Sequence, residues 1–375
     1  MTAVTITVGS DVIRTPRLAQ VEGIFDVPIS KRTQLTWNVD LPLDEQTWNV
    51  GLIVGPSGSG KSTVARHLWP EQHAATHEWH PDKSILDSFP AGMPVKEIVT
   101  LLCSVGFSSP PSWMRPYRVL STGEQFRVSM ARTLAETPAQ GLAVVDEFTS
   151  VVDRTVAQIG SYAVARTVRA RNQQFVALSC HEDVVDWLQP DWIYNPGTNI
   201  FSWRLLQRRP EIQLEVFRVH HQAWGLFAKH HYLDANLNHS ATCFIAMWRG
   251  QPVSFNAWLS QPHGMIPNLK RATREVVLPD YQGVGIGHMM NTTIASMWKA
   301  LGYRAMLTAG HPAVIRACSQ STLWHLNRQP SRTTGGGMMA RGTAMAQKIA
   351  NKRLTAGFEY VGPPMDPLQA SCLLG

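Results

Sequence analysis

Gly55-Pro56-Ser57-Gly58-Ser59-Gly60-Lys61-Ser62-Thr63 decides the reading of this chain. An apolar run, Val50 to Val54, precedes it and reads as a buried strand; Val64 to Trp69 follows it and reads as the opening of a helix. Strand, glycine-rich loop and helix form the context a phosphate cradle requires. Gly55, Gly58 and Gly60, with Ser57 between them, let backbone N–H groups turn inward on phosphate oxygens, and the helix N-terminus adds partial positive charge. Lys61 is placed to reach the β- and γ-phosphates of a nucleotide. Ser62 is placed to ligate Mg²⁺, and Thr63 completes the motif.

Around that loop the chain runs to 375 residues, enough for two or three domains. The formal charge of +7 is unevenly spread. Residues 1–202 hold 16 basic and 20 acidic residues, hence −4; residues 203–375 hold 18 and 7, hence +11. A basic half beside a mildly acidic half predicts an anionic partner for the second half: nucleic acid, a phosphorylated cofactor, or both. Cys103, Cys180, Cys243, Cys318 and Cys372 form no C-x-x-C pair and read as buried thiols in a reducing compartment. No apolar run approaches the roughly 20 residues that cross a bilayer. The N-terminus lacks the charged and apolar regions of a signal peptide. The expectation is a cytoplasmic protein with no membrane partner.

In the first half, residues 2–8, Val21 to Val27, Thr33 to Val39 and Trp48 to Val54 read as strands. Phe25 is either an adenine-stacking ring or a core residue. His73-x3-His77-x2-His80 has a metal-like spacing, against the simpler reading of solvated or core histidines. Val95 to Val105 reads as a helix, and Pro110-Pro111 and Pro116 break the chain. Leu120-Ser121-Thr122-Gly123-Glu124-Gln125 then runs into Phe126 to Leu134, which has helical periodicity. Leu142 to Val145 is a short buried strand ending in Asp146-Glu147. An acidic pair there suits metal-dependent phosphoryl chemistry, with Asp146 holding Mg²⁺ through water and Glu147 polarising the attacking water. Phe175 to Ser179 is another strand, and His181 beyond its end is placed to hydrogen-bond a γ-phosphate.

These motifs resemble the ATP-binding-cassette (ABC) ATPases. Gly55 to Thr63 is similar to the Walker A loop, Leu120 to Gln125 to the LSGGQ signature, and Asp146-Glu147 to the end of a Walker B strand. Ser150-Val151-Val152-Asp153 resembles the D-loop, and His181 the switch histidine. The resemblance spans roughly residues 20–195. It implies a homodimer that forms with ATP, in which Ser121 and Gly123 of one copy meet the γ-phosphate held by Lys61 of the other. Two departures stand out. Thr122 replaces a signature glycine, and no glutamine stands where the family has one between loop and signature; Gln72 lies early, and Asp87 is the alternative occupant.

Trp187 to Trp203, followed by Arg208-Arg209-Pro210, reads as a linker or domain edge. Beyond it, Ile212 to Val219 reads as a strand and Trp224 to Lys229 as a short helical piece. Thr242 to Trp248 and Pro252 to Leu259 read as a hairpin about Arg249-Gly250-Gln251, and Glu275 to Leu278 as a strand. Pro279-Asp280-Tyr281-Gln282-Gly283-Val284-Gly285-Ile286-Gly287 then enters a helix, Met289 to Leu301, before a strand from Tyr303 to Thr308. This is a second phosphate-type turn, without a lysine.

Gln282-x-x-Gly285-x-Gly287 is similar to the Q/R-x-x-G-x-G/A motif of the GNAT N-acyltransferases. The resemblance implies that Gln282, Gly283, Gly285 and Gly287 bind the pyrophosphate arm of acyl-CoA, with acetyl-CoA the expected donor. His230-His231-Tyr232-Leu233 precedes the hairpin, where acyltransferases place acceptor contacts. A histidine has the pKa range of a general base for an amine, and His231 and His311 are candidates. Tyr232 or Tyr281 is a candidate proton donor. His220, His221, His230, His231 and His239 alternatively form a metal site. A basic arm, Arg328, Arg332, Arg341, Lys348, Lys352 and Arg353 about Gly335-Gly336-Gly337, suits a phosphate backbone, with Trp324 and Phe358 as stacking or core rings. Pro363 to Gly375 reads as a loose tail.

The expected fold is α/β: a P-loop ABC ATPase domain over residues 1–202, an α+β GNAT acyltransferase domain over 203–362, and a tail over 363–375. The expected function is ATP hydrolysis coupled to acyl transfer onto a nucleic-acid base. The HHYL stretch, the LPDYQGVGIG loop and His311-Pro312 also resemble the Mom-type branch of GNAT proteins, known from bacteriophage DNA modification; a tRNA base is the competing acceptor. Two other classes remain open: an acetyltransferase for a protein or small-molecule amine with the cassette as ATP sensor, and an ATP-gated nucleic-acid clamp without acyl transfer.

Overall fold

Runs of β-branched and apolar residues set the strands of this chain, and local capping signals start its helices. The computed structural model describes residues 2–25, 32–72, 77–204, 212–233, 235–261, 267–332 and 354–375. In chain order the elements are β1 (Thr2–Asp11), α1 (Pro16–Phe25), β2 (Arg32–Leu41), β3 (Val50–Val54), α2 (Lys61–Leu68), α3 (Val95–Ser104), α4 (Pro110–Trp113) and α5 (Thr122–Glu136). Next come β4 (Leu142–Val145), α6 (Arg154–Ala170), β5 (Gln174–Ser179), α7 (Val184–Leu188), β6 (Trp192–Asn195) and β7 (Ile200–Trp203). The remainder comprises β8 (Glu215–Val219), β9 (Thr242–Trp248), β10 (Gln251–Ser260), β11 (Leu269–Val277), α8 (Ile286–Ala300), β12 (Arg304–Ala309), α9 (Pro312–Gln320), β13 (Trp324–Arg332), β14 (Leu354–Tyr360) and α10 (Pro367–Leu374).

Two compact units are drawn from interleaved stretches. One comprises Met1–Glu78, Glu136–Val151 and Ala165–Arg209; the other comprises Trp79–Ala135, Val152–Val164 and Pro210–Gly375. The first unit holds a sheet of order β4-β5-β3-β6-β7, parallel except for β7, and a separate β1-β2 ladder. Ile6, Val39 and Leu41 of the ladder join Ile53, Val144, Val176, Leu178 and Trp192 in one core. Trp192 lies against Gly51 of β3, and a Cβ at Gly51 would overlap its indole. Trp48 meets the same ring edge-on at 5.4 Å.

Two expectations for this unit are corrected. The strand expected from Val21 to Val27 is helical as far as Phe25, because Thr15 and Pro16 start α1, and residues 26 and 27 lie outside the described residues. The Thr15 hydroxyl accepts the Leu18 N–H at 3.3 Å, and proline suits a first helical turn. Phe25, at the helix end, is 67% exposed and packs in no core. Trp187 to Trp203 is not a linker either, since β6 and β7 complete the sheet. Asp191 ties that stretch down by accepting the Asn49 and Val50 N–H groups at 2.8 Å each and the Arg169 guanidinium at 2.9 Å. Arg208, Arg209 and Pro210 lie outside the described residues.

The second unit holds a sheet of order β8-β9-β10-β11-β12-β14-β13, in which β11 and β12 run parallel and the other neighbours antiparallel. Arg249 and Gly250, at φ 51° and 74°, form the two-residue turn of the β9–β10 hairpin, where a left-handed pair matches the strand twist. One sheet face packs on α8, α9 and α10 through Met290, Ile294, Trp298, Cys318, Phe358 and Ala370. On the other face, Trp224 and Phe227 cover Cys243, Ile245 and Phe255 of β9 and β10. Trp324 and Phe358 are core rings, 5% and 0% exposed, so neither stacks on a base. Residues 363–375 are not loose: Asp366 caps α10 by accepting two backbone N–H groups at 3.0 Å, and Arg218 donates to the Leu374 carbonyl. Gly335 to Gly337, Arg341, Lys348, Lys352 and Arg353 lie outside the described residues. Among the described residues no helix is long and apolar enough to cross a membrane.

The Gly51 contact is testable. Gly51→Ala should lower stability by about 1–3 kcal/mol through overpacking. Trp192→Leu in the same chain should recover part of that loss, and thermal unfolding of the two single variants and the double variant measures the coupling. Additive effects would mean that the indole does not constrain this position.

Candidate functional site

Parallel pairing of β4, β5 and β3 brings three loops to one edge of the first sheet, because Val145 pairs with Ala177 and Ser179 with Val54. Gly55 follows β3, Asp146 follows β4 and His181 follows β5. Ligands of open parallel sheets bind at this carboxyl edge. Gly58 and Gly60 have φ of 81° and 94°, which only glycine adopts without strain, and Gly60 turns directly into α2. Trp37 closes the loop from outside, donating to the Ser59 carbonyl at 3.0 Å and packing so close to Gly60 that a Cβ there would lie 2.5 Å from its ring. The Lys61 ammonium donates to the Gly55 and Pro56 carbonyls at 2.8 Å each, so it lies across the cradle. The Ser59 hydroxyl is buried without a hydrogen-bond partner among the described residues, an orphan that a bound anion with its water would satisfy.

Glu147 has φ of 50° and is exposed, and its N–H donates to Asp146 Oδ1 at 2.9 Å. The His181 N–H donates to the buried Ser179 hydroxyl at 3.1 Å, which sets the turn that presents the imidazole. A polyphosphate fits this loop. Gly55, Ser57, Gly58, Gly60, Lys61, Ser62 and Thr63 would hold it, and Mg²⁺ would be shared between Ser62, Asp146 and phosphate oxygens. Among the described residues no cluster of three or more His, Cys, Asp or Glu side chains could hold a metal by itself. His77 and His80 lie on no helix, and His73 is outside the described residues. His220, His221 and His239 do stack, with ring centroids 3.9 and 4.4 Å apart.

In the second unit, Ser121 caps α5. Its N–H and hydroxyl donate to Glu124 Oε2 at 2.9 and 3.1 Å, and its hydroxyl accepts the Glu124 N–H at 3.4 Å. This reciprocal box presents Ser121 and Gly123 at the positive end of a 15-residue helix. Thr122 begins the helix without disturbing it. Asp87 is exposed, and it accepts the Ser84 hydroxyl at 2.6 Å.

One turn further along α5, Arg127 is 1% exposed and donates to the Asp280 carbonyl at 3.1 Å. Burial pulls its pKa down, and Asp280, Glu124 and Asp153 pull it back up. Gln282 bonds the same seam, its Oε1 accepting the Ser108 N–H and its Nε2 donating to the Val277 carbonyl, both at 2.9 Å. Gly283 lies against Gly106, where a Cβ would come within 2.5 Å of the Gly106 Cα. Three of the four candidate cofactor residues thus have packing roles. Gln282 and Gly283 meet residues 106–108, and a Cβ at Gly287 would lie 2.5 Å from Glu275 Oε1. Gly285, at φ 95°, is open on all sides and heads α8.

Within the second sheet, β11 and β12 part. β11 pairs with β12 only from Leu269 to Ala272, and β11 then continues along β10 alone. A register shift against Ala257/Trp258 leaves Thr273 bulged. A cleft of about 410 Å³ lies there, lined by residues including Leu233, Gln261, Arg271, Thr273, Thr308 and Thr355. Tyr232 stands at its edge, its hydroxyl oxygen 3.7 Å from where a Gly310 Cβ would be. His231 sits a layer back, stacked on Tyr232 at 5.8 Å and edge-on to Trp224 at 5.6 Å. His311 is no general base: Nδ1 accepts the Ala313 N–H at 3.2 Å, Nε2 donates to the Ser108 carbonyl at 3.1 Å, and burial holds its pKa down. Arg127, Arg271, Thr273 and Thr308 escape a reading of the sequence. Only the S-x-x-E box beside Arg127 leaves a local trace.

No family model matches this chain, and no curated protein matches it. Solved structures similar to it include the dimeric structure of MJ0796, a bacterial ABC transporter cassette, at 17% identity over 43% of this chain and 86% of that one, TM-score 0.34. A post-hydrolysis dimer of MJ0796 bound to ADP and Pi gives the same values. cbiO1 from Clostridium perfringens, part of the ABC transporter complex cbiONQ, is similar at 16% identity over 44% of this chain and 77% of that one, TM-score 0.34.

Glu275, under the open helix head, accepts the Asn291 amide at 2.7 Å, and desolvation pushes its pKa above the usual carboxylate range. A raised acid destabilises the fold as pH climbs past the unfolded pKa of about 4.3, since the unfolded chain then ionises first. Glu275→Gln should remove this loss, leaving stability at neutral pH higher than wild type and its pH dependence flatter. Urea unfolding of both proteins across the range from about pH 4 to about pH 7 reads the difference. Parallel curves would mean that Glu275 ionises freely.

Proposed function

We propose that this protein is an ABC-type ATPase whose nucleotide cycle governs an acyl-CoA-dependent N-acyltransferase acting on a nucleic-acid base. The observation that carries the coupling lies within the second unit: the glycine loop at the head of α8 is bonded to α5, which Ser121 caps, through Arg127–Asp280, and to the segment between α3 and α4 through Gln282–Ser108. In a transporter such a cassette would address a separate permease. Here the chain's own loop meets the signature-bearing segment.

On this reading ATP and Mg²⁺ occupy the loop from Gly55 to Thr63. Lys61 would leave its two carbonyls for the γ-phosphate, Glu147 would orient the water that attacks it as ADP leaves, and His181 would hydrogen-bond the phosphoryl group in transfer. Two copies close on ATP, with Ser121 and Gly123 of one at the phosphate of the other. The acyl carrier, when bound, supplies an activated thioester. The backbone N–H groups at Gly285 to Gly287 would hold its pyrophosphate, and the gap between β11 and β12 would admit its pantetheine arm. The acceptor amine attacks the thioester carbonyl and loses a proton, and the carrier sulfur leaves and gains one. Tyr232 is the donor beside the cleft for that second transfer. With His311 engaged at both nitrogens, His231 is the remaining base, through a water. DNA is favoured as acceptor over tRNA by the Mom-type resemblance around residues 230–233 and 278–287.

Two experiments test the halves separately. Glu147→Gln should cut ATP turnover by at least about a hundredfold while retaining ATP and favouring the dimer. Sedimentation with ATP reads the dimer, and unchanged hydrolysis would remove the cassette assignment. Gly285→Trp should abolish acetyl-CoA binding in calorimetry while ATP binding persists. A side chain at 285 projects into open space, whereas one at 287 strikes Glu275; at φ 95° the substitution at 285 also strains the turn, so persistent ATP binding and unchanged thermal unfolding are the controls for Gly285→Trp. Undiminished acetyl-CoA binding by that variant would remove the helix head from the cofactor site.

A further inference from the structure

The sheet face that Trp224 and Phe227 cover over β9 and β10 continues across β11, β12, β14 and β13 with a different character. Arg271 pairs with Met306, Met306 with Glu359, Thr308 with Gly357, and Gly357 with Arg328, so alternate residues of four strands share this face. It carries Arg271, Arg274, Arg304 and Arg328. Its one described carboxylate is already engaged, since Glu359 holds Arg304 in a two-pronged pair at 2.7 and 2.6 Å. Arg274 is engaged as well, with the Asn236 carbonyl at 2.7 Å.

Arg271 and Arg328 differ from both. Arg271 donates to the Gln261 side chain at 3.3 Å, and Arg328 to the Thr355 hydroxyl at 2.9 Å; neither has a carboxylate partner among the described residues. Gly357 makes this possible. A Cβ there would lie 3.1 Å from the Arg328 Cβ and 3.6 Å from its Nε, so a glycine in mid-strand lets the arginine lie along β14 toward Thr355. Thr355, Gln261 and Arg271 all line the 410 Å³ cleft. Burial lowers the Arg271 pKa, and repulsion from the Arg328 guanidinium lowers it further. An anion between the two arginines would relieve both costs.

We infer that Arg271 and Arg328, with Thr355 and Gln261, form a phosphate-binding site for the backbone of a nucleic-acid acceptor, set so that the nucleotide beside the bound phosphate enters the cleft. The inference rests on the proposed acyltransferase reading for the cleft's chemistry and gives it a substrate class. A backbone phosphate fits better than a small free amine. A small amine needs a carboxylate or a cage of carbonyls, whereas this site offers two guanidinium groups, one hydroxyl and a single amide whose oxygen already accepts from Arg271. A cleft of this size takes one nucleotide and leaves the rest of a polymer to lie along the open sheet face.

The test measures anisotropy of a labelled single-stranded DNA oligonucleotide with the full chain across a salt series. The double substitution Arg271→Gln and Arg328→Gln leaves a polar amide at each position and removes both charges. It should weaken binding about tenfold or more and reduce the slope of log K against log salt by about 0.7, the value for one phosphate no longer neutralised on a single strand. Restoring both charges with lysine should recover the slope. Arg249→Gln, an exposed arginine stacked on Trp248 at the far hairpin turn, changes charge without touching the cleft and should alter neither quantity. Unchanged DNA binding by the double variant, or an equal loss in Arg249→Gln, overturns the site. So does a double variant that binds DNA normally but loses acetyl-CoA, since the arginines would then serve the carrier. If wild-type protein binds DNA through this pair yet binds no acetyl-CoA, the site stands and the acyltransferase reading fails.

Discussion

Gly106 and Gly283 lie against each other because neither carries a side chain, and both hold left-handed backbone, at φ 89° and 93°. This backbone contact is the joint on which the second unit depends. It brings the start of the 278–285 loop within reach of Ser108 and Arg127, and those two groups then seal it. Burying a guanidinium is costly, and Arg127 leaves its Nε without a partner among the described residues. The carboxylates of Asp280, Glu124 and Asp153 offset part of that cost. A packed joint of this kind has few intermediate arrangements, so a shift of α5 must either carry the loop with it or break the seal. On the proposed function, that property suits the joint to passing a nucleotide-driven movement to the loop at the head of α8.

The parts of the fold legible in the sequence are those in which a local pattern suffices. The strand, loop and helix from Val50 to Leu68 announce themselves through glycine spacing, and Leu142 to Glu147 through an apolar run that ends in acids. The misread segments share one physical cause. Thr15-Pro16 and Asp366-Pro367 each pair a capping oxygen with a proline suited to the first helical turn, and each starts a helix where alternation or terminal position suggests otherwise. From 187 to 203 the turn residues Pro196 and Gly197 mask the weight of Trp192, Tyr194, Phe201 and Trp203, whose rings face the sheet core.

The basic cleft is not legible, because nothing local marks it. Arg271 and Arg328 meet only after three strand registers are fixed, and Gly357 matters only because Arg328 crosses it. Histidine spacing points instead to candidates for acid–base work. Yet His311 spends both nitrogens on backbone groups, as a helix cap and as a tie to Ser108. Residue type suggests chemistry, but hydrogen-bond partners decide whether a lone pair is left over to perform it.

The two glycine loops use the same device with different endings. Gly60 and Gly285 have almost the same left-handed φ, 94° and 95°, and each hands the chain directly to a helix. At the first, the next residue is Lys61, an indole packs over the turn, and an acidic pair and a histidine stand at neighbouring strand ends. Those groups supply charge and a water-orienting carboxylate, which breaking a phosphoanhydride requires. At the second, the next residue is Ile286, the turn is open, and the nearest acid, Glu275, is held toward its neutral form. Backbone dipoles alone can grip a pyrophosphate there without activating it. A loop that grips without cleaving suits a carrier whose reactive end lies elsewhere, in the gap where β11 and β12 part. On the proposed function, the protein therefore spends its phosphoanhydride chemistry at one helix head and reserves the other for holding a group in transit.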